Sequence, residues 1–464
     1  MKSIKIMVFS KKKITRNMII VTASFLLIYL LISLFFSNHY FFHTVINGVN
    51  VSLKAYDETE QLFKRYIKDY KLQLIEKNGE TDELTGKAID MRYNEKNNIS
   101  QIHHTQKSTR WIGSLFKNQN YDITGLYNYD KEKLEKEVKE LKCLNKKITE
   151  PKNVRFTYSD GFYTVIEEIY GNKINQEKLY EVIAKSILKG DKKLDLNEKQ
   201  CYENPKYTVN SVKTRKTRNL LNKYVSTKIT YKFGNNYEKL DGNIIKDWLS
   251  VNEDLDVIIS ESAIESYIKK LSKKYDTVGV PREFKTSVGK IIEIKGGLYG
   301  WKIDQNMETK ALMDNIIQGK IVVKEPVYKQ KALSREGNEI GNTYVELNIT
   351  RQHLWFYKDG KIIAQGSVVT GNPGRGNATV VGVYMLNYKQ KGATLRGPGY
   401  KVEVKYWMPF YGNMGIHDAS WRYSFGGEIY KRRGTHGCVN APLHLAKKIF
   451  EQIEEGIPVI SYEE

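Results

Sequence analysis

An apolar run without a charged side chain covers residues 18–36 near the start of the chain. At about 1.5 Å per residue, a helix of this length nearly crosses the hydrocarbon core of a bilayer. The basic tail 1–17 precedes the run and favours a cytoplasmic N-terminus. A cleaved signal peptide is the alternative, but its apolar core is usually shorter and Ser37–Phe42 is a poor cleavage site. The pattern therefore predicts an uncleaved single-pass transmembrane helix, with the rest of the chain outside the cytoplasm.

Two stretches in the middle of the chain share one pattern of apolar and polar positions. The heptapeptide Tyr170–Gln176 recurs as Tyr299–Gln305, and a glycine follows the next helical run in both cases, at Gly190 and Gly319. Upstream of each heptapeptide, apolar residues recur with the i, i+4, i+7 spacing of a helix. These residues are Leu134, Val138 and Leu141 in the first copy and Ile264, Ile268 and Leu271 in the second.

The repeat predicts a multidomain chain with two copies of one α+β module, at residues 55–200 and 218–328. Residues 94–125 are interpreted as a polar insertion in the first copy. Residues 201–217 are interpreted as a basic linker between the copies.

From residue 342 the pattern changes to short alternating runs separated by glycine-rich turns. Tyr344–Ile349 alternates as a strand does, and Asp359-Gly360 separates two further apolar runs, which is a strong hairpin signal. Residues 342–463 are therefore predicted to form a mainly-β, sandwich-like domain. It ends with one helix and one strand, predicted at Leu443–Glu454 and Pro458–Tyr462.

The formal net charge is +21, from 74 Lys and Arg against 53 Asp and Glu. No nucleic-acid-binding motif or long basic block accompanies this excess, so nucleic acid is not a predicted partner. Attraction to acidic lipid or to an anionic cell-wall polymer explains the charge. An ordinary basic surface explains it equally well.

The chain has three cysteines. Outside the cytoplasm Cys143 and Cys201 could form a disulfide, or both could be buried, unpaired thiols. Cys438 is left without a cysteine partner in either case, which indicates a free thiol.

The segment Gly434–Pro442 places Cys438 between glycines and next to His436. A second histidine, His417, lies upstream, with seventeen residues between it and Thr435. A thiolate attacks carbonyl carbons well, and an imidazole within about 4 Å can take the thiol proton and return it to a leaving amine. Amides next to Cys438 could stabilise the resulting oxyanion. The spacing thus predicts cysteine nucleophilic catalysis.

A zinc site at Cys438 and the two histidines is the competing interpretation. Structural zinc sites need four ligands, usually in Cys-x2-4-Cys or His-x3-5-His pairs. The chain lacks such a pair here, so neither a metal nor another cofactor is predicted.

His417 is followed, after seventeen residues, by Thr435-His436-Gly437-Cys438-Val439-Asn440. This arrangement resembles the active-site motif of the L,D-transpeptidases, which cross-link the bacterial cell wall and have a YkuD-like catalytic fold. The resemblance covers about residues 342–463. The upstream repeats resemble the peptidoglycan-binding modules that often precede this domain. One departure is Thr379-Val380-Val381-Gly382, where the family usually has Thr-Pro-Thr-Gly.

The resemblance implies roles for individual residues. Cys438 would be the nucleophile, His417 the proton donor and acceptor, and the backbone carbonyl of Asp418 would orient the His417 ring. The residues that would shape and brace the acyl pocket are Thr435, His436, Gly437 and Asn440.

The resemblance also implies a reaction and a location. Cys438 would attack the third residue of a stem tetrapeptide, expel D-alanine and pass the acyl group to a neighbouring stem, giving a 3→3 cross-link. Carbapenems would acylate Cys438. The enzyme would be anchored in the cell membrane with its catalytic domain on the cell-wall side. Two alternatives stay open: hydrolysis, as in an L,D-carboxypeptidase or endopeptidase, and a non-catalytic wall-binding protein. Sortase-like enzymes fit less well, because the chain lacks their Thr-Leu-x-Thr-Cys strand.

Overall fold

The computed structural model describes residues 2–96, 99, 102, 105–397 and 399–464, with side chains from Lys13 onward. The chain divides into two compact units. One comprises Met1–Arg155 and Ile166–Ser211, and the other comprises Phe156–Val165 and Val212–Glu464.

The first element is the long helix α1, Lys2–Phe35. Within it, Lys13–Phe35 contains an 18-residue window with a mean hydropathy of 2.6 and is long and apolar enough to cross a membrane. Its apolar side chains are mostly exposed, so no protein core explains them. Phe36 is buried and packs edge-on against Phe41, with ring centroids 5.2 Å apart. The helix therefore continues into the first folded module without a spacer.

The first module is built on a three-stranded sheet. Its central strand β3 (Lys71–Ile75) pairs antiparallel with β4 (Thr81–Thr85) and parallel with β10 (Lys193–Asp195). Alternate residues of β3, Leu72 and Leu74, are fully buried. The helices and strands from the end of α1 to this sheet's last strand are β1 Thr44–Ile46, β2 Val49–Asn50, α2 Tyr56–Tyr66, β3 Lys71–Ile75, β4 Thr81–Thr85, β5 Arg92–Tyr93, β6 Gln119–Tyr121, β7 Tyr127–Asn128, α3 Lys131–Lys139, β8 Arg155–Ser159, β9 Phe162–Ile166, α4 Gln176–Lys189 and β10 Lys193–Asp195.

The second module repeats this arrangement. Its central strand β11 (Lys228–Phe233) pairs antiparallel with β12 (Asn236–Leu240) and parallel with β18 (Ile321–Lys324). Its first helix begins at Val212, inside the segment that the sequence predicts as linker, because Thr214 and Thr217 are buried on its inner face. The elements are α5 Val212–Val225, β11 Lys228–Phe233, β12 Asn236–Leu240, α6 Gly242–Ile245, β13 Leu249–Val251, β14 Val257–Ile259, α7 Glu261–Tyr275, β15 Arg282–Lys285, β16 Ile291–Ile294, β17 Lys302–Ile303, α8 Gln305–Gln318, β18 Ile321–Lys324 and β19 Tyr328–Gln330.

Equivalent helices of the two modules begin and end in the same way. The side chains of Asn175 and Asp304 each accept a hydrogen bond from the backbone three residues on, which caps the N-termini of α4 and α8. Both helices end at a left-handed glycine, Gly190 with φ 78° and Gly319 with φ 68°. The prediction of two copies of one α+β module is confirmed.

The third domain has two facing sheets. The first has the order β22 (Lys361–Ser367), β21 (His353–Lys358), β20 (Tyr344–Asn348), β28 (Pro458–Tyr462) and β23 (Gly382–Met385), and the second has the order β24 (Gln390–Gly397), β25 (Tyr400–Tyr411), β26 (Met414–Asp418) and β27 (Val439–Ala441). Apolar residues of both sheets and of the last helix share one core, which makes the domain sandwich-like as predicted. Asp359 and Gly360 both have positive φ and form the predicted hairpin turn. The elements are β20 Tyr344–Asn348, β21 His353–Lys358, β22 Lys361–Ser367, β23 Gly382–Met385, β24 Gln390–Gly397, β25 Tyr400–Tyr411, β26 Met414–Asp418, α9 Ile429–Arg433, β27 Val439–Ala441, α10 Leu443–Gln452 and β28 Pro458–Tyr462.

The second module contacts the third domain at two places, the loop between β15 and β16 and the backbone of Gly297. The fully buried carboxylate of Glu346 accepts hydrogen bonds from the Ser287 backbone, at 2.8 Å, and from the Ser287 hydroxyl, at 2.5 Å. Gly297 forms a bridge with Val383, the second residue of β23. The second module therefore packs directly on the sheet that carries the core of the third domain.

Candidate active site

Two neighbouring strands position the candidate nucleophile and base. His417 is the penultimate residue of β26, and Cys438 directly precedes β27. The strands are parallel, with Ile416 opposite Val439 and His417 opposite Asn440. This register brings His417 and Cys438, twenty-one residues apart in sequence, onto neighbouring strands of one sheet, two positions out of register.

The Cys438 side chain is nearly buried, with 9% exposure. Its sulfur donates a hydrogen bond to the backbone carbonyl of Asn413 at 3.5 Å. Burial raises the pKa of the thiol, and a hydrogen bond with the Gly415 backbone opposes this only in part. The resting protein therefore holds Cys438 as a neutral thiol.

The His417 ring is held in one tautomer by the neighbouring backbone. Its Nδ1 lies 2.8 Å from the carbonyl oxygen of Asp418, which can only accept, so Nδ1 carries the proton and donates. Burial lowers the pKa of the imidazole, so the ring is neutral and its Nε2 has a lone pair. This arrangement can accept a proton at Nε2 and return it.

Asp418 contributes its backbone carbonyl and not its carboxylate to the His417 ring. The carboxylate oxygen Oδ1 accepts hydrogen bonds from the backbone of Lys405, at 2.7 Å, and of Tyr406, at 2.8 Å. The Asp418 side chain thus fastens β26 to β25. The Asp418 carbonyl is the hydrogen-bond partner of His417 Nδ1.

The loop before Cys438 is folded around Thr435. The Thr435 hydroxyl donates to the carbonyl of Cys438 at 2.6 Å and accepts from the Gly437 backbone at 3.0 Å. Gly437 has φ 116°, and a Cβ there would lie 2.7 Å from Met414 Cε. Because its N–H is already bonded to Thr435, Gly437 in this state shapes the loop and does not offer a free amide to an oxyanion.

Sequence reasoning missed Thr379, which is far from this loop in sequence but hydrogen-bonds to it directly. Its buried hydroxyl accepts from the Gly371 backbone at 2.9 Å and donates to the Gly437 carbonyl at 2.8 Å. Thr379 opens the stretch where the sequence departs from the usual family pattern, and retention of this threonine was the available signal.

Cys438 and His417 line one cavity of about 320 Å³. His436 is exposed at its rim and stacks on Tyr400, with ring centroids 4.7 Å apart and planes 16° apart. Among the described lining residues only Arg422 carries a permanent charge, a second feature that sequence reasoning missed. The lining residues are Leu395, Tyr400, Val402, His417, Trp421, Arg422, Gly434, Thr435, His436, Cys438 and Asn440.

The other two cysteines are separate from this site. Cys143 and Cys201 are free, buried thiols, and burial raises their pKa values to about 12 and about 11. Within the residues that the structure describes, no group of three or more His, Cys, Asp or Glu side chains is placed to hold a metal ion.

Alkylation of Cys438 by iodoacetamide is expected to be slow at pH 7 and to keep rising with pH beyond 9. The thiolate is the reactive form, and burial raises the thiol pKa above its usual value of 9.0. Peptide mapping of the modified protein between pH 5 and pH 10 measures the rate at Cys438 alone. A rate that reaches its plateau below pH 8 would instead indicate a resting thiolate–imidazolium pair.

Comparisons with known proteins assign families to the domains of this chain. Residues 342–460 match the YkuD model, described as "L,D-transpeptidase catalytic domain". Residues 83–195 and 207–324 match the model described as "Putative peptidoglycan binding domain". The search of curated proteins found no match.

Several solved structures are similar to the chain. A crystal structure of a cysteine-to-serine mutant of the Enterococcus faecium L,D-transpeptidase is 31% identical and covers 53% of this chain and 98% of its own, with a TM-score of 0.43. An NMR structure of the catalytic domain of the E. faecium enzyme, acylated by ertapenem, is 39% identical and covers 26% of this chain and 98% of its own, with a TM-score of 0.25. A Mycobacterium tuberculosis L,D-transpeptidase is 20% identical and covers 26% and 58%, with a TM-score of 0.24.

The matched catalytic model makes the third domain a YkuD-type transpeptidase domain. The chain as a whole belongs to the L,D-transpeptidase family, and peptidoglycan-binding modules precede its catalytic domain.

Proposed function

We propose that this enzyme forms 3→3 peptidoglycan cross-links through an acyl-enzyme on Cys438. The observation that carries the proposal is that His417 and Cys438 line one cavity, while the Asp418 carbonyl occupies His417 Nδ1 and leaves Nε2 as the ring nitrogen for proton transfer. A neutral thiol beside a neutral imidazole suits a step in which proton transfer accompanies attack.

The first half of the reaction consumes a stem tetrapeptide. The Cys438 sulfur attacks the carbonyl carbon of the third residue while its proton passes to His417 Nε2. The tetrahedral intermediate collapses, the bond to the D-alanine nitrogen breaks, and Nε2 returns the proton to that leaving amine. The products are a thioester on Cys438 and free D-alanine.

The second half resolves the thioester. The side-chain amine of a neighbouring stem attacks the thioester carbonyl and gives its proton to His417 Nε2. The carbon–sulfur bond breaks, and the proton passes to the departing sulfur. The amide that forms is the 3→3 cross-link, and both Cys438 and His417 return to their neutral forms.

The remaining pocket residues have supporting roles in this proposal. Thr435 and Gly437 hold the backbone conformation that presents Cys438, and Asn440 braces the strand opposite His417. His436, stacked on Tyr400, forms a wall of the acyl pocket. The ring of His417 and the backbone carbonyl of Asp418 act as one unit.

The long apolar helix gives the proposed location. We propose that α1 crosses the cell membrane with the basic tail in the cytoplasm, so that the modules and the catalytic domain lie on the cell-wall side. The two modules then bind peptidoglycan, or hold the catalytic domain away from the membrane, or both. The basic surface would also favour contact with anionic wall polymers.

Carbapenems are proposed to acylate Cys438. The related E. faecium catalytic domain has been solved in a form acylated by ertapenem. A β-lactam carbonyl would occupy the position of the third-residue carbonyl in the cavity.

Incubation of the detergent-solubilised chain with a purified disaccharide tetrapeptide tests the reaction outcome. Mass spectrometry of the products should show a 3→3 dimer and free D-alanine. Disaccharide tripeptide with free D-alanine and without dimer would mean that water is the acceptor and that the enzyme is a carboxypeptidase. Unchanged tetrapeptide would favour a wall-binding protein without activity.

Replacing Arg422 is expected to affect substrates with a free terminal carboxylate selectively. Arg422 is the permanent charge of the described cavity lining, and the terminal D-alanine of a tetrapeptide carries a carboxylate. Arg422→Gln should lower kcat/KM for the tetrapeptide about tenfold, as expected for one lost charge-assisted hydrogen bond. A tetrapeptide amidated at its C-terminus is the control, and an equal loss on both substrates would rule out carboxylate recognition by Arg422.

Replacing Thr379 by valine is expected to loosen the loop that presents Cys438. Valine keeps the shape of threonine but leaves the Gly371 N–H and the Gly437 carbonyl without partners, at a cost of about 2 kcal/mol of folding stability. The thermal midpoint and kcat should both fall, with kcat down at least about tenfold. Thr379→Ser keeps the hydroxyl and should stay near the parent, whereas equal values for the two variants would contradict the bracing role.

A further inference from the structure

The outer end of α1 lies against a short segment of the first module. This segment, residues 108–116, contains the 3-10 helix Ser108–Leu115. The hydroxyl of Tyr29, in the last two turns of α1, donates a hydrogen bond to the Thr109 carbonyl at 2.5 Å. The ring centroid of Trp111 lies 6.0 Å from that of Tyr29 and 6.1 Å from that of Phe36. The segment therefore runs beside the C-terminal end of the apolar helix.

The 108–116 segment exposes large apolar side chains. Ile112 is 47% exposed, Leu115 is 43% exposed and Phe116 is 88% exposed. Residues 94–125 are predicted from sequence to be a polar insertion. The average composition of that stretch is polar and conceals the apolar cluster. Contiguous exposed apolar residues cost free energy in water and usually mark a contact surface.

The position of the segment along α1 indicates what covers it. The charge-free stretch of α1 is just long enough for a bilayer, so its last two turns occupy the outer leaflet. A segment packed beside those turns lies at the same depth. Trp111 is a residue type enriched at membrane interfaces, and the exposed cations Lys107, Arg110 and Lys117 flank the cluster, which suits contact with lipid phosphates.

We propose that residues 108–116 insert into the outer leaflet beside α1 and form a second membrane contact. The proposal rests on the proposed anchoring of α1. Its ligand is the lipid bilayer itself: acyl chains against Ile112, Leu115 and Phe116, and phosphate headgroups against the flanking cations. Since Phe36 is buried in the first module, the two contacts together hold that module against the membrane surface in one orientation.

A depth measurement on the full chain in lipid nanodiscs tests this contact. A nitroxide is attached to Phe116→Cys, and its collisions with oxygen, which concentrates in lipid, are compared with those of a water-soluble nickel chelate. Leu30→Cys, 52% exposed on α1, reports the bilayer, and Tyr237→Cys, 55% exposed on the second module, reports water. The unsubstituted chain gives the background from its three buried cysteines.

The proposal predicts that the Phe116 label, like the Leu30 label, is accessible to oxygen and protected from the chelate. A Phe116 label as accessible to the chelate as the Tyr237 label would overturn the insertion while leaving the anchor intact. Protection of the Phe116 label from both reagents would mean that protein covers it, which also overturns a lipid contact. Access of the chelate to the Leu30 label would overturn the anchoring and, with it, the inference.

Discussion

Cys438→Ala is expected to reduce cross-linking of purified muropeptides by at least about 10⁴-fold, because covalent catalysis is lost when the nucleophile is removed. The substitution deletes one sulfur from a nearly buried side chain, and with it a 3.5 Å hydrogen bond to the Asn413 carbonyl and a hydrogen bond with the Gly415 backbone. The thermal midpoint should therefore change little. Rates are measured by mass spectrometry of 3→3 dimers formed over time.

Cys201→Ala is the matched control for this substitution. Cys201 is also a buried, free thiol with a raised pKa, but it lies in the first module and does not line the cavity. Its loss should leave the rate per folded molecule near that of the parent. Residual activity of Cys438→Ala within about tenfold of the parent would show that the chemistry does not depend on a covalent intermediate at this position.

Gly297→Ala is expected to separate the second module from the catalytic domain. A Cβ at Gly297 would lie 2.5 Å from the Val383 nitrogen and closer still to its carbonyl oxygen, and the residue has φ 92°. The backbones at Gly297 and Val383 cannot move apart freely, because the Tyr299 N–H donates to the Val383 carbonyl and the Val383 N–H donates to the Gly296 carbonyl. We expect a loss of about 3 kcal/mol of stability, combining the clash with backbone strain. This corresponds to a fall of roughly 8 °C in the thermal midpoint.

Gly296→Ala separates strain from steric clash. Gly296 also has a positive φ, of 77°, but a Cβ there meets nothing within 4 Å. It should cost only about 1 kcal/mol. Limited proteolysis gives a second readout, since cleavage between 325 and 343 should accelerate in Gly297→Ala alone. Equal behaviour of the two variants would mean that the close approach to Val383 does not stabilise the interface.

Local patterns made much of the fold predictable from sequence. Asn175 and Asp304 begin equivalent helices and Gly190 and Gly319 end them, because capping depends on the few residues at each helix end. The Asp359-Gly360 turn was predictable for the same reason, since a tight hairpin needs residues that tolerate positive φ.

The candidate site was predictable in its main parts but not in its supports. His417 and Cys438 share a short motif, whereas Thr379 meets Gly437 across 58 positions of sequence. Arg422 enters the cavity through a loop whose path depends on tertiary contacts, such as its hydrogen bond to the Arg433 carbonyl at 2.8 Å. Contacts of this kind follow from the arrangement of the sheets and leave no periodic signal.

The apolar 108–116 segment was missed for a different reason. Trp111 and Phe116 lie among polar and basic residues, so a composition average over 94–125 reads as polar. The exposure of Phe116 and the packing of Trp111 against Tyr29 of α1 depend on the tertiary fold.

The acyl-enzyme is the most direct test of the proposed mechanism. The intact protein is mixed with a stem tetrapeptide in the absence of acceptor and is analysed by mass spectrometry within seconds, followed by peptide mapping. The proposed mechanism predicts an adduct equal in mass to the stem less its D-alanine, held as a thioester on Cys438 and absent from Cys438→Ala. Product formation with the adduct on another residue, or product formation by Cys438→Ala at the parent rate, would contradict it.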